Sequence, residues 1–167
     1  MTLHAPATPA WSLNAVSYAS PAARRLALAL HTEQIATYGH ADDPVDTPPA
    51  DFDPPAGLFL VACATNGGAA VACGGWRTAG DRVAEVKRMY VVPAFRARGL
   101  GRALLRELER DAAGNRGCTR MILETGSLNH AALALYAASG YAPIPAYAHG
   151  RNPDVNRAMS KELSVSR

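Results

Sequence analysis

Glu85–Leu105 reads EVKRMYVVPAFRARGLGRALL. The part through Val92 has the β-branched and aromatic content of a strand, and Pro93 ends it because proline brings no N–H to a ladder. Arg96-Ala97-Arg98-Gly99-Leu100-Gly101 follows, and from Gly99 to Ala113 the pattern is helical: Leu100, Leu104, Leu108 and Ala112 recur every four residues with charges between them. Strand, glycine-rich loop and helix start, in that order, make an anion site. The first-turn N–H groups have no partner inside the helix and carry partial positive charge. Glycine lets a ligand approach the backbone closely. Arg96, Arg98 and Arg102 add charge, so a phosphate or pyrophosphate is the expected guest. The segment is not a Walker loop, because no Gly-Lys-Ser/Thr follows, and it breaks the Gly-x-Gly-x-x-Gly fingerprint at Leu104. A plain glycine-containing helix start with a solvated Arg face is the competing reading.

Working upstream, Leu58–Ala64 and Ala69–Arg77 are two further strands joined at Asn66-Gly67, a strong hairpin signal. Gly80-Asp81 turns the chain into Val83–Val92, so residues 58–92 form an antiparallel meander. Before it, Trp11–Tyr18 reads as a strand. Ser20 caps a helix that Pro21 opens, Ala22–Tyr38 carries and Gly39 stops. His40–Pro55, HADDPVDTPPADFDPP, holds five Asp and five Pro and no Lys or Arg, and is a loop. Downstream come a strand Thr119–Glu124, a helix Asn129–Ser139 stopped by Gly140, and final strands Tyr141–Ile144 and Ala158–Leu163. The chain reads as one mixed α/β domain over residues 1–167, with residues 1–10 expected to be flexible and 40–56 forming an acidic, Pro-rich loop.

The 167 residues carry 17 Lys+Arg against 14 Asp+Glu, a net charge of +3, with 49% hydrophobic and 19% charged residues, which excludes a disordered or polyelectrolyte chain. Fifteen of the seventeen bases are Arg, and Arg88, Arg96, Arg98, Arg102, Arg106 and Arg110 fall within 23 residues. Aromatics do not interleave with them, which argues against a nucleic-acid partner. Cys63, Cys73 and Cys118 have no metal-ligand or disulfide spacing, so buried thiols and no metal are expected. The start has no signal-peptide pattern and no run suits a membrane span, which gives a cytoplasmic expectation and no membrane partner.

A second motif lies downstream: Asn129, Ala132, Leu135 and Tyr136 in an Asn-x-x-Ala-x-x-Leu-Tyr array, then Gly140-Tyr141. With Arg96-x-x-Gly99-x-Gly101 it makes the chain resemble the GNAT superfamily of N-acetyltransferases from about residue 58 to residue 163. The longer pattern resembles a bacterial subgroup that does not fix an acceptor. The resemblance implies a GNAT fold: a central, mostly antiparallel mixed sheet of six to seven strands flanked by helices, splayed in a V between strands 4 and 5. It also implies acetyl-CoA as cofactor, coenzyme A as product, and a small-molecule or peptide amine as acceptor, in a monomer or homodimer.

Carried over by residue, the resemblance implies that the backbone of Arg96, Ala97, Arg98, Gly99, Leu100, Gly101, Arg102 and Ala103 cradles the pyrophosphate. Met89, Tyr90 and Val91 would line the pantetheine arm, with the Val91 region offering an oxyanion donor. Asn129 would contact the arm, or simply cap its helix. Tyr136 would sit near the thioester sulfur, or simply be a core aromatic. Glu85, eleven positions before Arg96, is the expected base; the bland alternative is an ion pair with Lys87 or Arg88. Without a bulge, Glu85, Lys87, Met89 and Val91 share one strand face. For the acceptor wall the candidates are Glu33, Tyr38, Trp76, Glu124 and His149, the last in the loop Tyr147–Asn156 that is expected to border the site, with Asp42, Asp43, Asp46, Asp51 and Asp53 of the acidic loop attracting a cationic amine. Direct attack in a ternary complex is expected, since no cysteine is placed for a covalent intermediate. A non-catalytic acyl-CoA-binding module of the same fold is the rival; retention of Glu85 and Tyr136 favours the enzyme.

Overall fold

The structure, a computed structural model, describes residues 10–66 and 68–164. The flexible-start expectation falls on residues 1–9, and the hairpin glycine is Gly67; both lie outside the described residues, save Ala10. Seven strands form one sheet in the order β1-β2-β3-β4-β5-β7-β6. They are β1 (Trp11–Ala15), β2 (Gly57–Ala64), β3 (Ala70–Gly80), β4 (Val83–Val91), β5 (Arg120–Gly126), β6 (Ala142–Ile144) and β7 (Asn156–Glu162). The meander is as expected, with β1 added at its edge by pairing Trp11–Ala15 to β2. Only β4 and β5 run parallel, and they pair over three positions, Val83–Glu85 against Arg120–Ile122. Beyond Glu85 the two strands part, so the expected splay is present and the β5-facing edge of β4 is left without a strand neighbour.

Three helices cover the sheet: α1 (Pro21–Tyr38), α2 (Leu100–Arg116) and α3 (His130–Ala138). The Ser20 hydroxyl accepts the Ala23 N–H at 3.3 Å and Gly39, at φ 79°, closes the other end of α1, as the cap residues predict. On the α2 face, Leu100, Leu104, Leu105 and Leu108 pack with Leu60, Val71, Val86 and Met121. On the α1 face, Leu26 and Ala27 pack with Phe59, Val61 and Tyr90. The acidic loop is not simply solvated. Pro44–Asp46 and Pro49–Phe52 form two short 3-10 turns, and Phe52, 1% exposed, plugs into the α1-side core against Tyr18 and Phe59. Among the described residues no helix is long and apolar enough to cross a membrane.

One irregularity redirects the site. Cys73 of β3 faces Tyr90 and Gly75 faces Lys87, so two β4 residues, Arg88 and Met89, stand opposite Gly74. This is a β-bulge, and Arg88 takes φ 60°, a left-handed conformation costly for a residue with a Cβ. It reverses the face on which later residues lie. Met89 and Val91 pack into the α2-side core with Val86, so they do not share a face with Glu85 and Lys87. A Cβ on Gly74 would come within 2.3 Å of the Met89 sulfur, so the missing side chain there is what admits Met89.

Candidate active site

Where β4 and β5 part, a cleft of about 770 Å³ runs from the start of α2 past the start of α3 to the end of α1. Its floor at one end is the Arg96–Arg102 turn. Ala97 at φ 61° and Gly99 at φ 84° bend the loop so that Gly99 caps α2 without a side-chain partner. The first intrahelical bond is Ala103 N–H to the Gly99 carbonyl at 3.0 Å. The free donors therefore end at Arg102, and Ala103 is excluded from the cradle expected of it. Gly101 lines the cleft, where a Cβ would sit 3.3 Å from Leu135.

The arginines divide differently from their even spacing. Arg102 lines the cleft. Arg96 turns away from a phosphate role: its Nη2 donates to both Glu33 oxygens at 2.8 and 2.9 Å, and its Nε to the Val91 carbonyl at 2.8 Å. It ties α1 to the loop, occupies Glu33 and takes one acceptor position of Val91. Arg98 lies over the Phe95 ring at 5.1 Å and, like Ala103, is not part of the cleft wall. Met89, Tyr90, Val91, Ala97, Leu100 and Asn129 all line it. The Asn129 side chain caps α3, its Oδ1 accepting from Ala132 N–H at 3.1 Å, so the cap reading holds while its amide nitrogen is left for the cleft.

Tyr136 lies on the cleft wall with its ring edge-on to Tyr141, centroids 5.7 Å apart, and its hydroxyl makes no hydrogen bond to the described residues. Tyr141 is itself pinned by its hydroxyl donating to Glu109 at 2.9 Å. Burial pushes the Tyr136 phenol well above its ordinary pKa, so it holds its proton at neutral pH.

At the far end the cleft meets a smaller, charged cavity of about 320 Å³. Asp42, Lys87, Arg88, Glu124 and Arg151 line both. Glu124, from β5, is the distinctive group. Its side chain is 12% exposed, its Oε2 lies 3.2 Å from Arg151 Nε, and its Oε1 is buried with no hydrogen-bond partner. Burial raises its carboxyl above the ordinary range, with Arg151 pulling the other way and Glu85 adding to the rise. The Tyr38 hydroxyl, also on the cleft wall, is the other buried polar atom without a partner. It lies over Gly126 so closely that a Cβ there would come within 1.8 Å of it.

Glu85 is buried but fully engaged. Its Oε1 accepts from Arg77 Nε at 3.0 Å and its Oε2 from the Tyr147 hydroxyl at 2.6 Å, and it faces the smaller cavity alone. The ion-pair reading is right in kind but names the wrong cation, because cross-strand register sets Arg77 opposite Glu85. Trp76 points away from the cleft: 1% exposed on the α2 face, its indole N–H donates to Asp111 at 2.8 Å. His149 lines neither cavity. Two of the five acidic-loop carboxylates are paired within the fold, Asp42 with Arg151 and Asp51 with Arg77. The sequence offers Lys87 and Arg88 only as ion-pair partners of Glu85, and Tyr147 and Arg151 only as members of the loop 147–156, with no individual role for any of the four. The available signal was Lys87-Arg88, two adjacent cations in a central strand, a place that rarely holds even one.

The model of the acetyltransferase (GNAT) family matches residues 23–141. An uncharacterized N-acetyltransferase of Schizosaccharomyces pombe is 30% identical over 119 residues, covering 71% of this chain and 72% of that protein. An IAA acetyltransferase of Azospirillum brasilense is 41% identical over 86 residues, 50% of this chain and 54% of that one. Among solved structures, a candidate acyl-CoA N-acyltransferase of Klebsiella pneumoniae superposes with a TM-score of 0.78 at 30% identity, covering 92% of this chain and 98% of that one. A seven-stranded sheet splayed at its parallel pair, with a glycine-bent helix start beside the splay, is the architecture of an acyl-transfer enzyme. This chain belongs to the GNAT family of acetyltransferases.

Proposed function

We propose that the chain acetylates a primary amine by direct attack in a ternary complex with acetyl-CoA, and that Glu124 is the base. The observation that carries this is the buried, unpartnered Glu124 Oε1 in the same cleft as the Tyr136 hydroxyl. The cleft suits the cofactor: N–H groups through Arg102 for a pyrophosphate, a strand edge of β4 without a neighbour, and the Asn129 amide beyond it. Acetyl-CoA, when bound, supplies an acetyl group activated as a thioester.

The protein's own groups divide the proton work. An amine arrives mostly as ammonium at neutral pH and must lose a proton to become a nucleophile. A carboxyl raised by burial is a stronger base than an ordinary glutamate, and Glu124 Oε1 has a free position to accept that proton. Arg151 holds the other oxygen and fixes the carboxylate plane. Tyr136 keeps its proton and offers it as a hydrogen bond at the opposite side of the cleft. Glu85, engaged by Arg77 and Tyr147, positions the loop over the smaller cavity instead of taking protons. The thiols fit direct attack: none of the three lines the cleft, and burial pushes Cys73 up to about 12. A thiol-release assay with acetyl-CoA over a panel of primary amines tests the reading. Turnover with at least one amine supports it; acetyl-CoA binding without turnover on any amine favours the non-catalytic module.

A further inference from the structure

We infer that the acceptor is an amine that also carries a carboxylate, an amino-acid-like molecule whose acid group is held by Lys87 and Arg88. The inference rests on the acetyl-transfer reading and adds the acceptor class to it. Four cations and five carboxylates (Asp42, Asp43, Asp46, Glu85 and Glu124) line the small cavity, and two of the cations are held by the nearest of those carboxylates. Arg77 pairs with Asp51 and Glu85, and Arg151 with Asp42 and Glu124. Lys87 and Arg88 form no ion pair with any described residue. Arg88 donates only to neutral oxygens, the Tyr18 hydroxyl at 3.3 Å and the Thr47 hydroxyl at 3.1 Å, which leaves guanidinium donors over.

An unmatched cation in a partly buried site is costly, and two side by side repel each other. Burial pushes the Lys87 ammonium below its ordinary range; Glu85 and Asp42 oppose the fall, and Arg88 and Arg77 add to it. The backbone reinforces the placement. Arg88 sits in the bulge at φ 60°, so local strain is spent on turning a side chain toward this cavity. A ligand anion would relieve both costs. Glu124, shared by both cavities, presents its buried, unpartnered Oε1, and the Tyr38 hydroxyl on the wall of the larger cleft is likewise buried without a described partner; both oxygens suit an ammonium. Cations at one side and ammonium acceptors at the other are the complement of an amino acid. The volume of about 320 Å³ suits a single small molecule better than a protein surface.

The test uses matched acceptors: L-amino acids, their carboxamides, and the amines lacking the acid group. Calorimetry in the presence of CoA reads binding, and thiol release from acetyl-CoA reads transfer. The wild-type protein is expected to bind and acetylate at least one amino acid about tenfold to a hundredfold better than its carboxamide, the worth of a charge-assisted contact. Lys87→Gln and Arg88→Asn are expected to bring that acid-over-amide ratio close to one; Asn is chosen because it tolerates positive φ. Equal use of acids and amides by the wild type would overturn the carboxylate assignment while leaving acetyl transfer standing. Acid-selective binding without transfer would keep the assignment and overturn the transfer reading. No binding of any amino acid, or an equal loss on acids and amides in Lys87→Gln, would overturn the assignment. The wild-type comparison decides the matter even if a variant fails to fold.

Discussion

A carboxylate, a phenol and a pair of cations outside any described ion pair make up the proposed site, and each is defined by what it does not touch. Glu124 Oε1 and the Tyr136 hydroxyl have no hydrogen-bond partner among the described residues, whereas both Glu85 oxygens do. The sequence favours Glu85 as the base and places Glu124 only on the acceptor wall; the cross-strand Arg77 and the distant Tyr147 engage both Glu85 oxygens, and this supports Glu124 instead. Tyr147 lies 62 residues from Glu85 in the chain, a pairing that no local pattern reveals. Tyr136→Phe is expected to lower kcat by about a hundredfold, the scale of one positioned proton donor. Its affinity for acetyl-CoA, measured by calorimetry, should stay within about twofold, because the ring still packs on Tyr141. An equal loss in both would make Tyr136 a packing residue only.

At the scale of elements, the glycine-bent start of α2 was the most legible feature, because it is local: Gly99, Gly101 and the leucine period all lie in one continuous stretch of the chain. The division of labour among Arg96, Arg98 and Arg102 was not legible, since Glu33, the residue that captures Arg96, belongs to α1. The β4 bulge was likewise hidden, and with it the reversal that separates Met89 from Glu85; no glycine in β4 marks it, since the accommodating Gly74 lies on β3 and Arg88 takes the left-handed conformation itself. Gly101→Val should weaken acetyl-CoA binding about tenfold or more by titration, because its branches enter the cleft beside Leu135 where backbone must approach the ligand. Unchanged affinity would move the pyrophosphate elsewhere. Ser20→Ala should cost about 1 kcal/mol in chemical denaturation by removing the bond to Ala23 N–H.

Across the whole molecule, two cores on opposite faces of one sheet hold β4 and β5 apart at the site. Leu104, fully buried between α2 and the sheet, is expected to cost about 3 kcal/mol on truncation to Ala, read from denaturant midpoints. The net charge of +3 resolves into internal pairs, an Arg-lined turn at one end of the cleft, and a mixed-charge cavity at the other. In the acidic loop, whose composition suggests a lure for cations, Asp42 and Asp51 pair with Arg151 and Arg77, while Asp43 and Asp46 line the smaller cavity. The central claim is that Glu124 takes the proton of the amine, and the pH dependence of kcat/KM tests it most directly. A base works only when deprotonated, so activity should fall as pH drops through a Glu124 pKa raised above that of an ordinary glutamate. Glu124→Gln should remove that acid limb and lower kcat/KM by about a hundredfold or more, while Glu85→Gln keeps the limb. An acid limb that survives in Glu124→Gln and disappears in Glu85→Gln would contradict the account.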